Sequence, residues 1–209
     1  MSIADGARTP PPALAMLDTV PKTLTDGLRA FCATLSDSRP VFVRCRPDGD
    51  AQPSSCFDNV ARKIGRAGGS IVHGWAIWTV PGFYYEAEHH GVWRKRTGEL
   101  VDVSPQPNAP KRILFLPDEA AVYDPVVHRD NVLRAASDDP LAHEFVALGS
   151  RRNAIHAAYR IGGARLVSFS AADRMELGEI ERRLRELGPT TMRARREDPT
   201  PGPPSREKP

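Results

Sequence analysis

Phe83-Tyr84-Tyr85-Glu86-Ala87-Glu88-His89-His90-Gly91-Val92-Trp93-Arg94, then Lys95-Arg96-Thr97-Gly98, then Glu99-Leu100-Val101-Asp102-Val103 is the stretch that decides the architecture. Aromatic and branched residues alternate with polar ones, and a glycine-bearing turn separates two such runs, which predicts a β-hairpin. If Arg96-Thr97-Gly98 is a three-residue loop with Gly98 in the left-handed region, Lys95 pairs with Glu99. Counting back, Val92 faces Asp102 and His90 faces Ser104. His90 and Asp102 then lie on one face as diagonal neighbours, and a one-residue slip would part them. The same alternation puts His89 on the other, more apolar face with Tyr85, Ala87 and Trp93. There it reads as a hydrogen-bonded core residue.

Outward from this hairpin the pattern is consistent. Upstream, Ser70 to Trp78 is a strand joined to the first run through Pro81-Gly82. Before it, Cys56 to Arg66 reads as a helix stopped by Gly68-Gly69. Pro40 to Cys45 is a strand, and Thr23 to Leu35 carries Leu24, Leu28, Phe31 and Leu35 at helical spacing. Downstream, Arg112 to Leu116 is a further strand. Helices followed by an antiparallel meander predict an α+β fold. Past Pro125 the pattern turns helical, over 128–136, 139–159 and 171–187. The expected organisation is a lead-in over 1–15, an α+β core over 16–125 and a helical extension over 126–187. Residues 188–209, with prolines at 189, 199, 201, 203, 204 and 209, are expected as a disordered tail.

Composition narrows the class. Lys plus Arg number 29 against 26 Asp plus Glu in 209 residues, a balance that argues against a general nucleic-acid binder. The arginine-rich stretch Arg193–Arg196 reads as part of a solvated tail. Three cysteines without CxxC spacing describe neither a disulfide scaffold nor a zinc knuckle, and fit a reducing, cytoplasmic setting. No basic segment followed by an apolar run opens the chain, and no apolar run reaches a membrane span.

The start of the 56–66 helix carries chemistry. Ser55 with Asp58 three residues on resembles a capping box, which places Cys56 at the first helical turn. A thiol there meets unpaired backbone N–H groups and the positive end of the helix dipole, both favouring thiolate. Those N–H groups would also serve a developing oxyanion. Cys32, on an apolar helical stripe, and Cys45, alternating with Val41 and Val43, read instead as packing residues. Asp102 lies among Leu100, Val101 and Val103, so its carboxylate needs a partner. His90 would supply one; capping a turn, or pairing with an arginine such as Arg112, would be the alternative. The tryptophans and tyrosines Trp75, Trp78, Tyr84, Tyr85 and Trp93 read as sheet core, and Glu86 and Glu88 as a solvated pair on one strand face.

Cysteine at a helix start, histidine on a strand and an acid on the next strand resemble the papain-like/transglutaminase-like superfamily of cysteine enzymes. The segments are Ser55-Cys56-Phe57-Asp58-Asn59, His90-Gly91-Val92-Trp93 and Gly98-Glu99-Leu100-Val101-Asp102-Val103-Ser104-Pro105, within roughly residues 50–106. The resemblance implies a helix bearing the nucleophile packed on an antiparallel sheet. It implies Cys56 as nucleophile, His90 as general base and acid, and Asp102 as the group that orients it. Hydrolysis or acyl transfer at an amide, isopeptide or ester carbonyl of a protein, peptide or small molecule would follow, with no cofactor. The superfamily often places a polar donor just before the cysteine. Gln52 is the one available here, and Asn59 or a backbone N–H is the substitute. Two other readings use the same residues. Cys56, His90 and Asp102, with His89, have the donor types of a zinc site, or the fold serves as a catalytically inactive binding module docking through its C-terminal helices.

Overall fold

A computed structural model describes residues 19–161 and 166–197, with 189–197 as backbone only. Four helices and six strands follow in the order α1 (Asp26–Cys32), β1 (Val41–Cys45), α2 (Cys56–Ala67), β2 (Ser70–Val80), β3 (Tyr84–Arg94), β4 (Leu100–Asp102), β5 (Arg112–Pro117), β6 (Val132–Ala135), α3 (Pro140–Ala158) and α4 (Ala171–Glu197). The fold is mixed α+β. Its sheet order is β2-β5-β1-β4-β3-β6, and a further β2–β3 pairing closes the first five strands into a small barrel.

The hairpin register is the one the loop predicts. Gly98 is left-handed at φ 88°, Lys95 N–H donates to Glu99 O at 2.9 Å, and Trp93 pairs with Val101. The sheet as a whole is more than a meander. β1 runs parallel to β4, with Cys45 beside Asp102, and antiparallel to β5. These pairings join residues far apart in the chain, and no local turn announces them.

Alternation sorts the side chains of the barrel. Val43, Val72, Ala76, Trp78, Val92, Ile113 and Phe115 share one cluster facing the interior. On the outside, α1 lays Leu28, Phe31 and Cys32 on Trp75, Ile77, Leu114 and Leu116. Further round, α2 lays Val60 and Ile64 on Trp93, Val101 and Val103. Burying each of these large apolar side chains contributes about 1.5–3 kcal/mol. The tryptophans anticipated as core are buried, and each indole N–H has an acceptor. Trp75 donates to Asp118, Trp78 to Glu88 and Trp93 to Gly68 O.

The region after 125 departs from its reading. Residues 132–135 form strand β6, pairing with Tyr84–Ala87 of β3, where a helical segment was expected. Leu133 is packed into the α3–α4 core, so tertiary contact decides its conformation. That core joins Phe145, Ile155, Ile180, Leu184 and Leu187 to Val80, Phe83 and Tyr84 at the tip of the β2–β3 hairpin. The helical extension is therefore built onto the barrel sheet. Arg183 adds a bidentate pair with Glu144 at 2.6 and 2.8 Å. The helix of 171–187 continues to Glu197, which corrects the expected tail boundary at 188. Between 190 and 197 the residues are mostly Met, Arg, Ala and Glu, good helix formers, and all but one of the prolines come later. The expected lead-in of 1–15 and residues 198–209 lie outside the described residues. No helix among the described residues is long and apolar enough to cross a membrane.

Candidate active site

Along β3, one edge is paired with β2 throughout. The other edge meets β6 at residues 84–87 and β4 at 93–94. Residues 88–92 have no strand paired on that side, and His90 lies in this gap.

The start of α2 is brought to the gap by close packing. A Cβ at Gly91 would stand 3.0 Å from the Phe57 ring, so the missing side chain at 91 lets α2 approach the strand beside His90. The approach to the helix is clasped on two sides. Lys63 and Arg66 hold Asp48 at 2.8 and 2.7 Å, and Arg66 holds Asp50 at 2.9 Å. Ser54, left-handed at φ 57°, turns the chain into the helix. Ser55 is the N-cap but makes no side-chain cap bond, contrary to the capping-box reading. The N–H groups of the first turn therefore keep their donor capacity.

Cys56 is half-buried at this helix start. His90 is 3% exposed and Asp102 wholly buried. The His90 Nε2 atom lies 3.3 Å from Asp102 Oδ1. The contact is off the hydrogen-bond line, since Nε2 has no aligned acceptor. Cys56 acts on the same ring through its charge and through hydrogen bonding. Burial alone would lower the His90 pKa. The Asp102 carboxylate and then the Cys56 sulfur outweigh burial and hold it well above the ordinary 6.5. The imidazolium form is thus favoured beside the Asp102 carboxylate.

Asp102 is held from several directions. Its Oδ1 accepts from the Ser104 N–H at 3.0 Å, and its Oδ2 from Gln106 Nε2 at 2.8 Å and from the Cys45 thiol at 3.9 Å. The Arg112 alternative is not taken, since Arg112 donates to Lys22 O. Sequence reasoning missed Cys45 and Gln106 as supports of the acid. Cys45 arrives through the parallel β1–β4 pairing, and Gln106 through the loop after β4. Only the Ser-Pro-Gln-Pro run following Asp102 hinted that this loop folds back. Burial and the Asp102 charge push the Cys45 thiol up to about 12, and burial pushes Cys32 to about 11.

The two candidate oxyanion donors sit elsewhere. Asn59 is buried and its amide is spent: Nδ2 donates to Gln52 O at 2.8 Å and to Ser104 Oγ at 3.0 Å, while Oδ1 accepts from Gln52 N–H and from Arg62. It is a clasp linking α2 to the exit of β4, beside Asp102. The Gln52 side chain turns to Asp50 O at 3.2 Å, at the surface. Of the donors considered, the backbone N–H groups of the α2 start are those at the sulfur.

His89 faces the other way. Its Nε2 contacts Ala121 O at 2.6 Å, and its ring lies among Phe57 and Trp75. Burial lowers its pKa. A metal reading needs donors converging on one point. Among the described residues, no group of three His, Cys, Asp or Glu side chains is arranged to hold an ion.

Comparison of the chain with family models, curated proteins and solved structures finds no match.

Proposed function

We propose that the protein is a cysteine-dependent hydrolase or acyl transferase of papain-like/transglutaminase-like type, acting on an amide, isopeptide or ester carbonyl. The observation that carries this reading is the single buried imidazole on which both Cys56 and Asp102 act. A thiol, a base and an orienting carboxylate in this relation are what acyl transfer through sulfur requires.

In the proposed cycle the Cys56 sulfur attacks the carbonyl carbon and its proton resides on His90. The oxyanion is received by N–H groups at the start of α2. His90 then gives its proton to the leaving amine or alkoxide as the C–N or C–O bond breaks, leaving a thioester on Cys56. Water or an amine, deprotonated by His90, attacks the thioester and returns the thiol. Asp102 keeps the ring oriented and stabilises its charged form throughout.

Alkylation tests it directly. Iodoacetamide at near-neutral pH should modify Cys56 ahead of Cys32 and Cys45, as read by peptide mass spectrometry, and Cys56→Ala should abolish rapid labelling. Faster modification of Cys32 or Cys45 would sink the proposal. So would a folded wild-type protein whose Cys56 stays unmodified.

A further inference from the structure

The interior-facing side of β3 holds one more ionisable group that the proposed reaction does not use. Glu88 lies two residues before His90, on the same strand face, and within the same unpaired segment of the β3 edge. Two strand residues span roughly 7 Å, which sets the spacing of Glu88 and His90 along the strand. It is anchored: Trp78 Nε1 donates to Glu88 Oε2 at 3.0 Å, which leaves Oε1 for another donor. Glu88 retains some solvent exposure although protein surrounds most of its carboxyl group, whereas His90 and Asp102 are sealed in. The neighbouring Glu86 is already engaged, accepting from Asn131 Nδ2 at 2.5 Å.

We infer that Glu88 receives a protonated amine of the substrate, so that the thiol acts on a carbonyl compound bearing an ammonium group near the reacting bond, such as a free amino terminus or a lysine-like side chain. The inference rests on the thiol reading of Cys56 and adds the class of substrate to it. The groups facing Glu88 are Glu86 and His90 from its own strand, Asp102 from β4, and the Trp78 indole from β2. His90 is the one cationic group in that set, and it is paired with Asp102. A carboxylate in this setting lacks a cation of its own. Burial accordingly pushes the Glu88 carboxyl up from its usual range, although the nearby His90 charge opposes this. An arriving ammonium would supply the missing counter-charge and a donor to Oε1.

The test compares two thiol reagents of opposite charge on the full chain. A trimethylammonium-ethyl methanethiosulfonate and a sulfonatoethyl methanethiosulfonate each form a mixed disulfide with Cys56 and release methanesulfinate. Peptide mass spectrometry gives the rate at Cys56. Glu88→Gln keeps an acceptor for Trp78 and removes the charge. It should reduce the cationic-to-anionic rate ratio by roughly three- to tenfold at low salt, while neutral iodoacetamide still labels Cys56. Glu86→Gln should leave the ratio near the wild-type value. A second measurement needs no variant: butylammonium should protect wild-type Cys56 from iodoacetamide, and butanol at the same concentration should not. A ratio unchanged in Glu88→Gln, or equal protection by butanol, overturns the inference. Failure of Cys56 to react with any of the three reagents would instead overturn the thiol chemistry beneath it.

Discussion

His89 and His90 are adjacent in the chain and have opposite surroundings. The outer face of β3 packs His89 between Phe57 and Trp75 and ties its ring to the Ala121 carbonyl. The inner face sets His90 against a buried carboxylate and a thiol, with a second carboxylate two residues away. Burial dominates on the outer face and lowers the His89 pKa. On the inner face burial is outweighed, and the His90 pKa rises. The comparison teaches that burial alone does not determine a histidine's charge. The polar partners that the ring meets, Asp102 first among them, decide the sign.

The sharpest break of this contrast is to remove each histidine in turn. His90→Ala should slow acyl transfer from a simple activated ester such as p-nitrophenyl acetate by roughly 10²–10⁴-fold, the range of a lost general acid–base. His89→Ala should lower the melting temperature and leave that rate within a few-fold. Equal rate losses in the two variants would erase the distinction.

The next effect is on stability and its pH dependence. Asp102→Ala strands His90 without its buried partner and should cost about 3–5 kcal/mol, read from urea unfolding. Because the folded pKa of His90 is raised, its stabilising contribution is fully present below the ordinary 6.5 and is lost as pH rises through the folded value. Asp102→Asn should therefore flatten the decline of the urea midpoint above about pH 6.5. A decline as steep as that of the wild type would show that another group is responsible.

A purely apolar change should separate packing from chemistry. Leu114 is wholly buried under α1, and Leu114→Ala should cost about 2–4 kcal/mol. The rate of Cys56 alkylation should not change in the protein that remains folded. Smallest is the effect of Cys45→Ala. It removes one long contact to Asp102 and should alter Cys56 alkylation by less than about threefold. With its thiol held up to about 12, Cys45 itself should stay unmodified at pH 7 in the wild type.

Much of the site was legible because its determinants are local. The three-residue loop ending at left-handed Gly98 sets the pairing of Lys95 with Glu99, and strict alternation then carries His90 and Asp102 to one face. Cys56 at a helix start likewise follows from the residues around it. The capping box was misread, because Ser55 supplies the cap position without the cap bond. Asn59 was misread as a free donor, because its partner Ser104 lies 45 residues away.

From the amino-acid order alone came the β3–β4 register, the separation of the two histidines and the placing of the thiol on α2. All three depend on contacts within a few residues, where backbone geometry leaves little choice. Barrel closure, the parallel β1–β4 pairing that brings Cys45 to Asp102, the return of Gln106, and the strand character of 132–135 were decided only by the tertiary structure. Each depends on segments meeting across long loops. Such meetings are selected by the burial of shared surface, a property of the whole chain that no short window of sequence contains.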